Sequence, residues 1–456
     1  MHLAGLISAI FAAQSVVAAA PLEPPKGQIY LGAWYDRNLT DTPSAVNARI
    51  GYKPLSFFQT DVDFSGTLKP WTAPSITDQF LQQLKDTQTD AFAMLTVYPF
   101  QGFANITDAQ LADMATRLNA FVSAGRPVYF RFAPEMNGSW FPYGQDPIAF
   151  IASWKRCITY WRKALGKNVD KVAFIWSPNS GNGYPFMANQ FSVDAELMDP
   201  KTRANFKVLD TNGDGVLDAK DDPYIAYYPG DDFVDYVGIS IYHYGTEYED
   251  KVESWATNSI PEPGKFEKYL NGFPEKAYYF GWAPLYTYFS SPAGVKNSAG
   301  EVVSAGNKPM IISETAATYH FAWVNKTGKA TDIPDAESAV TRLEIKRAWN
   351  NQFLNDKFLA KYPQIKAIST FEFIKSEEAT WRDFTTFGAA PNENREYSFV
   401  DEDNKVAQGI AADLRNLTFI TFANVTGNAN VSKNDAGVSL IVVALLGVVG
   451  ALFLSL

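Results

Sequence analysis

Eight short runs of apolar, β-branched or aromatic residues recur along the chain, at 29–35, 55–64, 91–100, 127–133, 171–177, 236–242, 308–313 and 367–373, with helix-like segments between them. The run Val172-Ala-Phe-Ile-Trp176 is apolar at every position, which suits a strand covered on both faces and not one with a wet side. Between the runs, Ser75-Ile-Thr-Asp78 and Thr107-Asp-Ala-Gln110 read as helix N-terminal caps, the second as a capping box, and the helix after Thr107 is expected to stop at Gly125 ahead of Pro127. Residues 148–165 and 338–358 have helical apolar spacing. Strands alternating with helices predict an α/β fold, and eight such units predict a single-domain (β/α)₈ barrel. An open doubly wound sheet competes with it, but that fold usually brings a glycine-rich phosphate turn after its first strand, and Trp34-Tyr-Asp-Arg37 is not one. No internal repeat is visible.

The two ends read as processing signals. Residues 3–20 form an apolar run of secretory length with Val17-Ala18-Ala19 ahead of Pro21, so residues 1–19 are expected to be a signal peptide. The run has no Lys or Arg before it, which leaves an N-terminal membrane anchor as the other reading. At the far end come the small residues Gly427-Asn428-Ala429, a polar spacer to Asp435, and an uncharged apolar run at 438–456. That order matches a glycolipid attachment signal whose tail is removed. A single membrane-spanning helix competes, but no Lys or Arg follows the run to hold a cytoplasmic end. The expected organisation is therefore a barrel domain over 20–417, a polar stalk and attachment region over 418–437, and a removed tail over 438–456. It implies a secreted or cell-surface protein of a eukaryote, touching the membrane only through a lipid. Sequons at Asn38, Asn105, Asn137, Asn325, Asn416, Asn424 and Asn430 are compatible with export. The single cysteine, Cys157, rules out an intrachain disulfide. A formal net charge of −10 without a basic cluster argues against nucleic acid as a partner. A monomer is expected.

Reactive residues of a (β/α)₈ barrel gather at the carboxyl ends of its strands. Glu135 ends the fourth run, in Arg131-Phe-Ala-Pro-Glu-Met-Asn-Gly-Ser-Trp140, and Glu314 ends the seventh, in Lys308-Pro-Met-Ile-Ile-Ser-Glu314. Two carboxylates meeting across one mouth suit glycosidic cleavage, which needs a proton for the leaving oxygen and negative charge beside the anomeric carbon. Aromatic residues at 15% of the chain suit the flat faces of sugars as well as ordinary packing.

The long connection after the fifth run contains Asp210-Thr-Asn-Gly-Asp-Gly-Val-Leu-Asp-Ala-Lys-Asp221. Its spacing offers side-chain oxygens at Asp210, Asn212, Asp214, Asp218 and Asp221, the carbonyl of Val216, and Gly215 at the sharp turn, as a loop enclosing a structural Ca²⁺ does. Asp221 stands where a bidentate Glu is usual. A solvated acidic turn is the alternative, and no catalytic cofactor is expected.

The pattern Arg131, Glu135, Met136, Asn137, Gly138, Trp140 resembles family 26 of the glycoside hydrolases, in a secreted, lipid-anchored form of the fungal type. That family is known chiefly for endo-β-1,4-mannanases and also for β-1,3-1,4-glucanases and β-1,3-xylanases. The resemblance implies a polysaccharide partner and retention of configuration across carboxylates about 5 Å apart. By resemblance Glu135 is the proton donor and later the base, Glu314 the nucleophile, and Arg131 and Asn137 belong to the substrate site. Trp140 resembles the aromatic wall of a sugar subsite, Tyr242 a tyrosine that bonds the nucleophile, and Trp381 a tryptophan flooring the cleaved subsite. One departure stands out: the family normally has His before the proton donor, and this chain has Pro134, which offers neither a side-chain donor nor an N–H. His243 is a candidate source of an imidazole instead, with an ordinary hydrogen-bonded residue as the other reading, and Glu372 is either a further carboxylate at the mouth or a buried, paired structural residue. A wall-binding barrel without turnover is the contrasting expectation.

Overall fold

The computed structural model describes residues 20–37, 41–64, 75–186, 189–191, 193–245, 258–272, 283–323, 340–377, 380–388 and 400–426. Eight parallel strands form its centre: β1 Ile29–Tyr35, β2 Phe57–Asp63, β3 Phe92–Tyr98, β4 Val128–Phe132, β5 Val172–Trp176, β6 Tyr236–His243, β7 Met310–Ala317 and β8 Ile365–Glu372. Each pairs with the next in sequence, and β8 returns to β1 over Tyr30↔Ala367 to Tyr35↔Glu372. That last pairing leaves no sheet edge and makes the (β/α)₈ barrel expected from the alternation.

The helices form where local chemistry starts them. Ser75 and Thr107 both make capping boxes, with Asp78 and Gln110 respectively, for helices Ile76–Asp86 and Asp108–Ser123. Asp146 caps Pro147–Leu165, which turns Phe150, Trp154, Cys157, Ile158, Trp161 and Leu165 towards the barrel at helical spacing. Trp161 meets Phe130 and Phe132 of β4 with ring centroids 4.9 and 5.2 Å away, and Cys157 is a buried free thiol pushed up to about 12 by burial. The stretch read as one helix over 338–358 is two. Thr341 makes a capping box with Glu344 at the start of Arg342–Phe353, and Asn355 then caps a second helix, Asp356–Lys361.

Alternation along the strands sorts the barrel interior into layers. Phe57, Phe92, Met94, Tyr129, Ala173, Ile175, Tyr236, Ile311 and Ala367 fill the floor. Above them the lining turns polar. Gln59 donates to Thr96 at 2.8 Å and accepts from Ser369 at 2.8 Å, and Arg131, Ser177, Ser240 and Ser313 share the level. Gly238 makes room there, since a Cβ on it would lie 2.4 Å from Ser313 Oγ and 2.7 Å from Ser177. At the top, Trp34, Ala316, Phe371 and Phe384 pack with Tyr98, Tyr242 and Tyr244.

The segment expected as a stalk begins on the barrel. Ile420–Thr421 pairs with the start of β1, Asn424 bonds both carboxylate oxygens of Asp90 from its backbone and side chain, and Thr426 N–H donates to Gln88 at 2.8 Å. Contacts with the barrel therefore continue past 417 as far as Thr426, the last described residue, at the end of the barrel opposite Glu135 and Glu314. The expected signal peptide and apolar tail, and the sequons at Asn38, Asn325 and Asn430, lie outside the described residues. Among the described residues no helix is long and apolar enough to cross a membrane.

Candidate active site

Glu135 is presented by strained backbone. Beyond the end of β4, Ala133 and Glu135 both have left-handed conformations, with φ of 44° and 55°, each costing roughly 1–3 kcal/mol and sustained only by surrounding contacts. Those contacts are present. Ala133 N–H donates to Val97 O and Glu135 N–H to Ser177 O, both at 2.8 Å, and Tyr143 Oη donates to Pro134 O at 2.9 Å. The result turns Glu135 into the mouth, half-buried, where Trp140 Nε1 donates to its Oε2 at 2.9 Å. The indole lies on Gly138, where an added Cβ would come within 2.3 Å of the ring, so the glycine of the motif is required by the tryptophan.

Glu314 reaches the same mouth by a different device. Ile311 faces the floor of the lumen, so strict alternation would point Glu314 outwards. The pairing with β6 steps from Ile239↔Ile312 to Ser240↔Glu314, and that with β8 from Ile368↔Ile312 to Thr370↔Thr315, so β7 carries one extra residue. This bulge turns both Ser313 and Glu314 inwards. Arg131, fully buried, forms an ion pair with Glu314 Oε1 through Nη1, donates from Nε to Ser177 Oγ at 3.0 Å and from Nη2 to Ser240 Oγ at 2.8 Å. Tyr242 Oη donates to Glu314 Oε2 at 2.6 Å.

The two carboxyls thus sit in unlike surroundings. Burial, reinforced by the charge of Glu314, pushes Glu135 up to about 7, against the opposing pull of Arg131, Ser240 and Trp140. Glu314 has a guanidinium and a phenol as direct partners. A proton donor poised near neutrality beside a paired carboxylate is a division of labour set by environment.

The other expected residues divide between the mouth and elsewhere. Arg131, Trp140 and Tyr242 lie against the two glutamates. Asn137 is fully buried, and its amide donates to Asn179 O and accepts from Asn179 N–H, both at 2.9 Å, clamping the loop after β4 to that after β5. Neither a sugar nor a glycan reaches it. His243 is a correction: because Tyr242 faces the lumen, the next side chain faces the helix layer. There its ring approaches Trp349 at 5.9 Å, Nε2 bonds Ser259 O at 2.9 Å and Nδ1 meets Lys265 Nζ at 3.1 Å. Burial and Lys265 push it down to about 3, so it supplies no imidazole to the mouth. Glu372 is turned outwards too, accepting the backbone N–H groups of Thr386 and Phe387. Trp381 belongs to a small antiparallel sheet of Tyr319–Trp323, Ile374–Glu377 and Thr380–Asp383, where it packs with Phe321 and Ile374. The rings flanking Tyr242 are instead Phe371, Tyr244 and Phe384. Ser177, Ser240 and Ser313 were not singled out from sequence; their signal is their place at inward positions near strand ends.

In the loop at 210–221, acidic side chains hold the loop's own amides. Asp210 accepts from Gly213, Asp214 and Gly215, Asn212 and Asp214 accept from residues two further on, Asp218 from Lys220, and Asp221 from Thr211, Asn212 and Asp218. Val216 is exposed. Among the described residues no group of three or more His, Cys, Asp or Glu is placed to hold a metal ion.

Residues 71–194 match the model of glycosyl hydrolase family 26, a stretch that includes Arg131, Glu135, Asn137 and Trp140 but not Glu314. No curated protein matches the chain. Solved structures similar to it include the modular endo-β-1,4-mannanase of Cellulomonas fimi, at 16% identity over 87% of this chain and 72% of that one with a TM-score of 0.43. The catalytic domain of the GH26 endo-β-1,4-mannanase of Bacillus sp. JAMB-750 follows at 15% identity, 87% of each chain and a TM-score of 0.44. A GH26 β-mannanase of Bacteroides ovatus gives 14%, 87% and 90%, and 0.43. At these values the likeness adds nothing to the barrel that the strand pairings already define.

Proposed function

We propose that the chain is a family 26 glycoside hydrolase that cleaves β-linked polysaccharide with retention of configuration. The observation that carries this reading is the meeting of Glu135 and Glu314 in one mouth, the first pushed up to about 7 and the second paired with Arg131 and Tyr242. Glu135 gives its proton to the glycosidic oxygen as that bond breaks, while Glu314 attacks the anomeric carbon and forms a glycosyl ester. Glu135, now a carboxylate, then takes a proton from water, whose oxygen displaces Glu314 and restores both groups. Arg131 and Tyr242 hold the nucleophile in place, and Trp140 holds the acid.

β-1,4-Mannan is the first substrate, supported by the match of 71–194 to the family and by the motif it contains, with β-1,3-1,4-glucan and β-1,3-xylan next. Export and a lipid anchor rest on the sequence of the two ends and place the action at the cell surface. The test is reducing-end release from mannan, lichenan, laminarin and β-1,3-xylan by the wild type, Glu135→Gln and Glu314→Ala. Release by the wild type alone supports the reading; binding of a polysaccharide without release from any of them makes the barrel a wall-binding protein. A structural calcium ion at 210–221 is a separate proposal that rests on spacing, and no step passes through it. A rise in melting temperature on adding calcium to chelator-treated protein supports the ion, and an unchanged one leaves the loop to its own amides.

A further inference from the structure

The mouth has few uncommitted donors. Arg131 is spent on Glu314, Ser177 and Ser240, Tyr242 Oη on Glu314, Trp140 Nε1 on Glu135 and the Asn137 amide on Asn179. Pro134 has no side-chain donor, and His243 faces the helices. Tyr98 is different. It ends β3 and joins the upper lumen layer of Trp34, Phe371 and Phe384. Its ring is fixed by stacking on Phe100 at 5.2 Å and 3° and by contact with Phe141 at 5.2 Å. The charges of Glu314, Arg131, Glu135 and Asp61 act on its phenol. Among the described residues the phenol has no hydrogen-bond partner, although it is only partly buried.

We propose that Tyr98 Oη is a catalytic residue that hydrogen-bonds a hydroxyl of the hexopyranose ring seated between Glu135 and Glu314. The proposal rests on the hydrolase reading and names the residue by which this chain completes its sugar contacts. Burial and the carboxylate of Glu314 push the phenol well above its ordinary value, so it keeps its proton as a donor. Phe100 is exposed at 41% and Trp140 at 46%. They are the two aromatic side chains among the exposed large apolar residues described, and Phe141 joins them, with ring centroids 6.1 Å from Phe100 and 6.4 Å from Trp140. An apolar ledge of this kind suits the face of a sugar chain, and Tyr98 stands where the ledge meets the acids.

Tyr98→Phe isolates the hydroxyl, because the phenyl ring keeps the stacking on Phe100 and Phe141. Expected are an unchanged melting temperature, a fall in kcat/KM of roughly tenfold or more, and several-fold weaker binding of mannooligosaccharide by Glu135→Gln/Tyr98→Phe than by Glu135→Gln alone. A loss in either readout with the fold intact supports the contact; turnover and binding both within twofold of their references overturn it. Failure of the hydrolase reading looks different, since the wild type itself then releases no reducing ends. The binding pair, run on whichever polysaccharide of the panel is bound, still decides Tyr98 in that case, and binding of none overturns both.

Discussion

Glu135 and Glu314 end two strands of the same barrel, and the chain turns them to one point by opposite means. The first is aimed by two left-handed residues outside the sheet, the second by an extra residue inside it. Their surroundings differ in the same sense. Glu135 is half-buried, close to another carboxylate, and has an indole as its hydrogen-bonding neighbour, whereas Glu314 has a buried guanidinium and a phenol. An acid needs a site that favours its proton, as burial does at Glu135, and a nucleophile has to be held in place, as Arg131 and Tyr242 hold Glu314, so the contrast supports the proposed roles beyond the bare presence of two glutamates.

The strongest way to break that contrast is to remove each carboxyl. Glu314→Ala is expected to lower turnover on order of 10⁴-fold on every substrate, because no covalent intermediate forms without it. Glu135→Gln is expected to lose roughly 10²–10⁴-fold on polysaccharide but much less on aryl glycosides whose leaving group needs no proton. Equal losses on both substrate types for the two variants would refute the assignment. Tyr242→Phe removes one hydrogen bond to a charged group, and a fall of about 10–100-fold in kcat/KM is expected from such a loss. Trp140→Phe acts on the other side. The indole N–H favours the carboxylate form of Glu135, so its removal should raise that group further, and the alkaline limb of kcat/KM, expected near 7, should move upwards. A limb that stays put would show that Glu135 is not the group titrating there.

Much of this was legible in the chain. The strands are mostly apolar, Val172–Trp176 at every position, and the caps at Ser75 and Thr107 bound their helices, so the barrel could be read from alternation alone. The arrangement within the mouth was less legible, for reasons that differ by residue. Counting from Ile311 places Glu314 on the wrong face, and only the bulge, set by pairing with β6 and β8, corrects it. His243 was open to the same parity argument, since a lumen-facing Tyr242 sends its neighbour outwards. Asn137 sits in the motif but spends its amide on Asn179, and spacing does not reveal which partner an amide takes. Ser177 and Ser240 carry no pattern beyond their positions, yet they complete the guanidinium that pairs with Glu314.

Glu372 extends the comparison to a third carboxyl and produces the smallest effect. It is also pushed up to about 7, chiefly by burial, so a raised value alone does not mark a catalytic group. Phe371 faces the lumen, and Glu372 therefore faces out, where it is 2% exposed and its Oε2 takes the backbone N–H groups of Thr386 at 2.9 Å and Phe387 at 2.8 Å. Its ordinary value is 4.5, so the folded state holds the proton more tightly than the unfolded one. Stability should therefore fall as pH rises from about 4.5 to about 7 and level off above that. Glutamine keeps a carbonyl for both amides and cannot ionise, so Glu372→Gln should exceed the wild type by about 1–3 kcal/mol at alkaline pH and approach it in mild acid. Glu135 contributes a fall of the same sign, which the variant retains, so its curve should flatten in part. Denaturant unfolding at several pH values checks this, with kcat as a control expected to stay within twofold. Parallel stability curves for the two proteins would mean that Glu372 is charged in the fold without cost, and that the loop at 384–388 is held by a carboxylate after all.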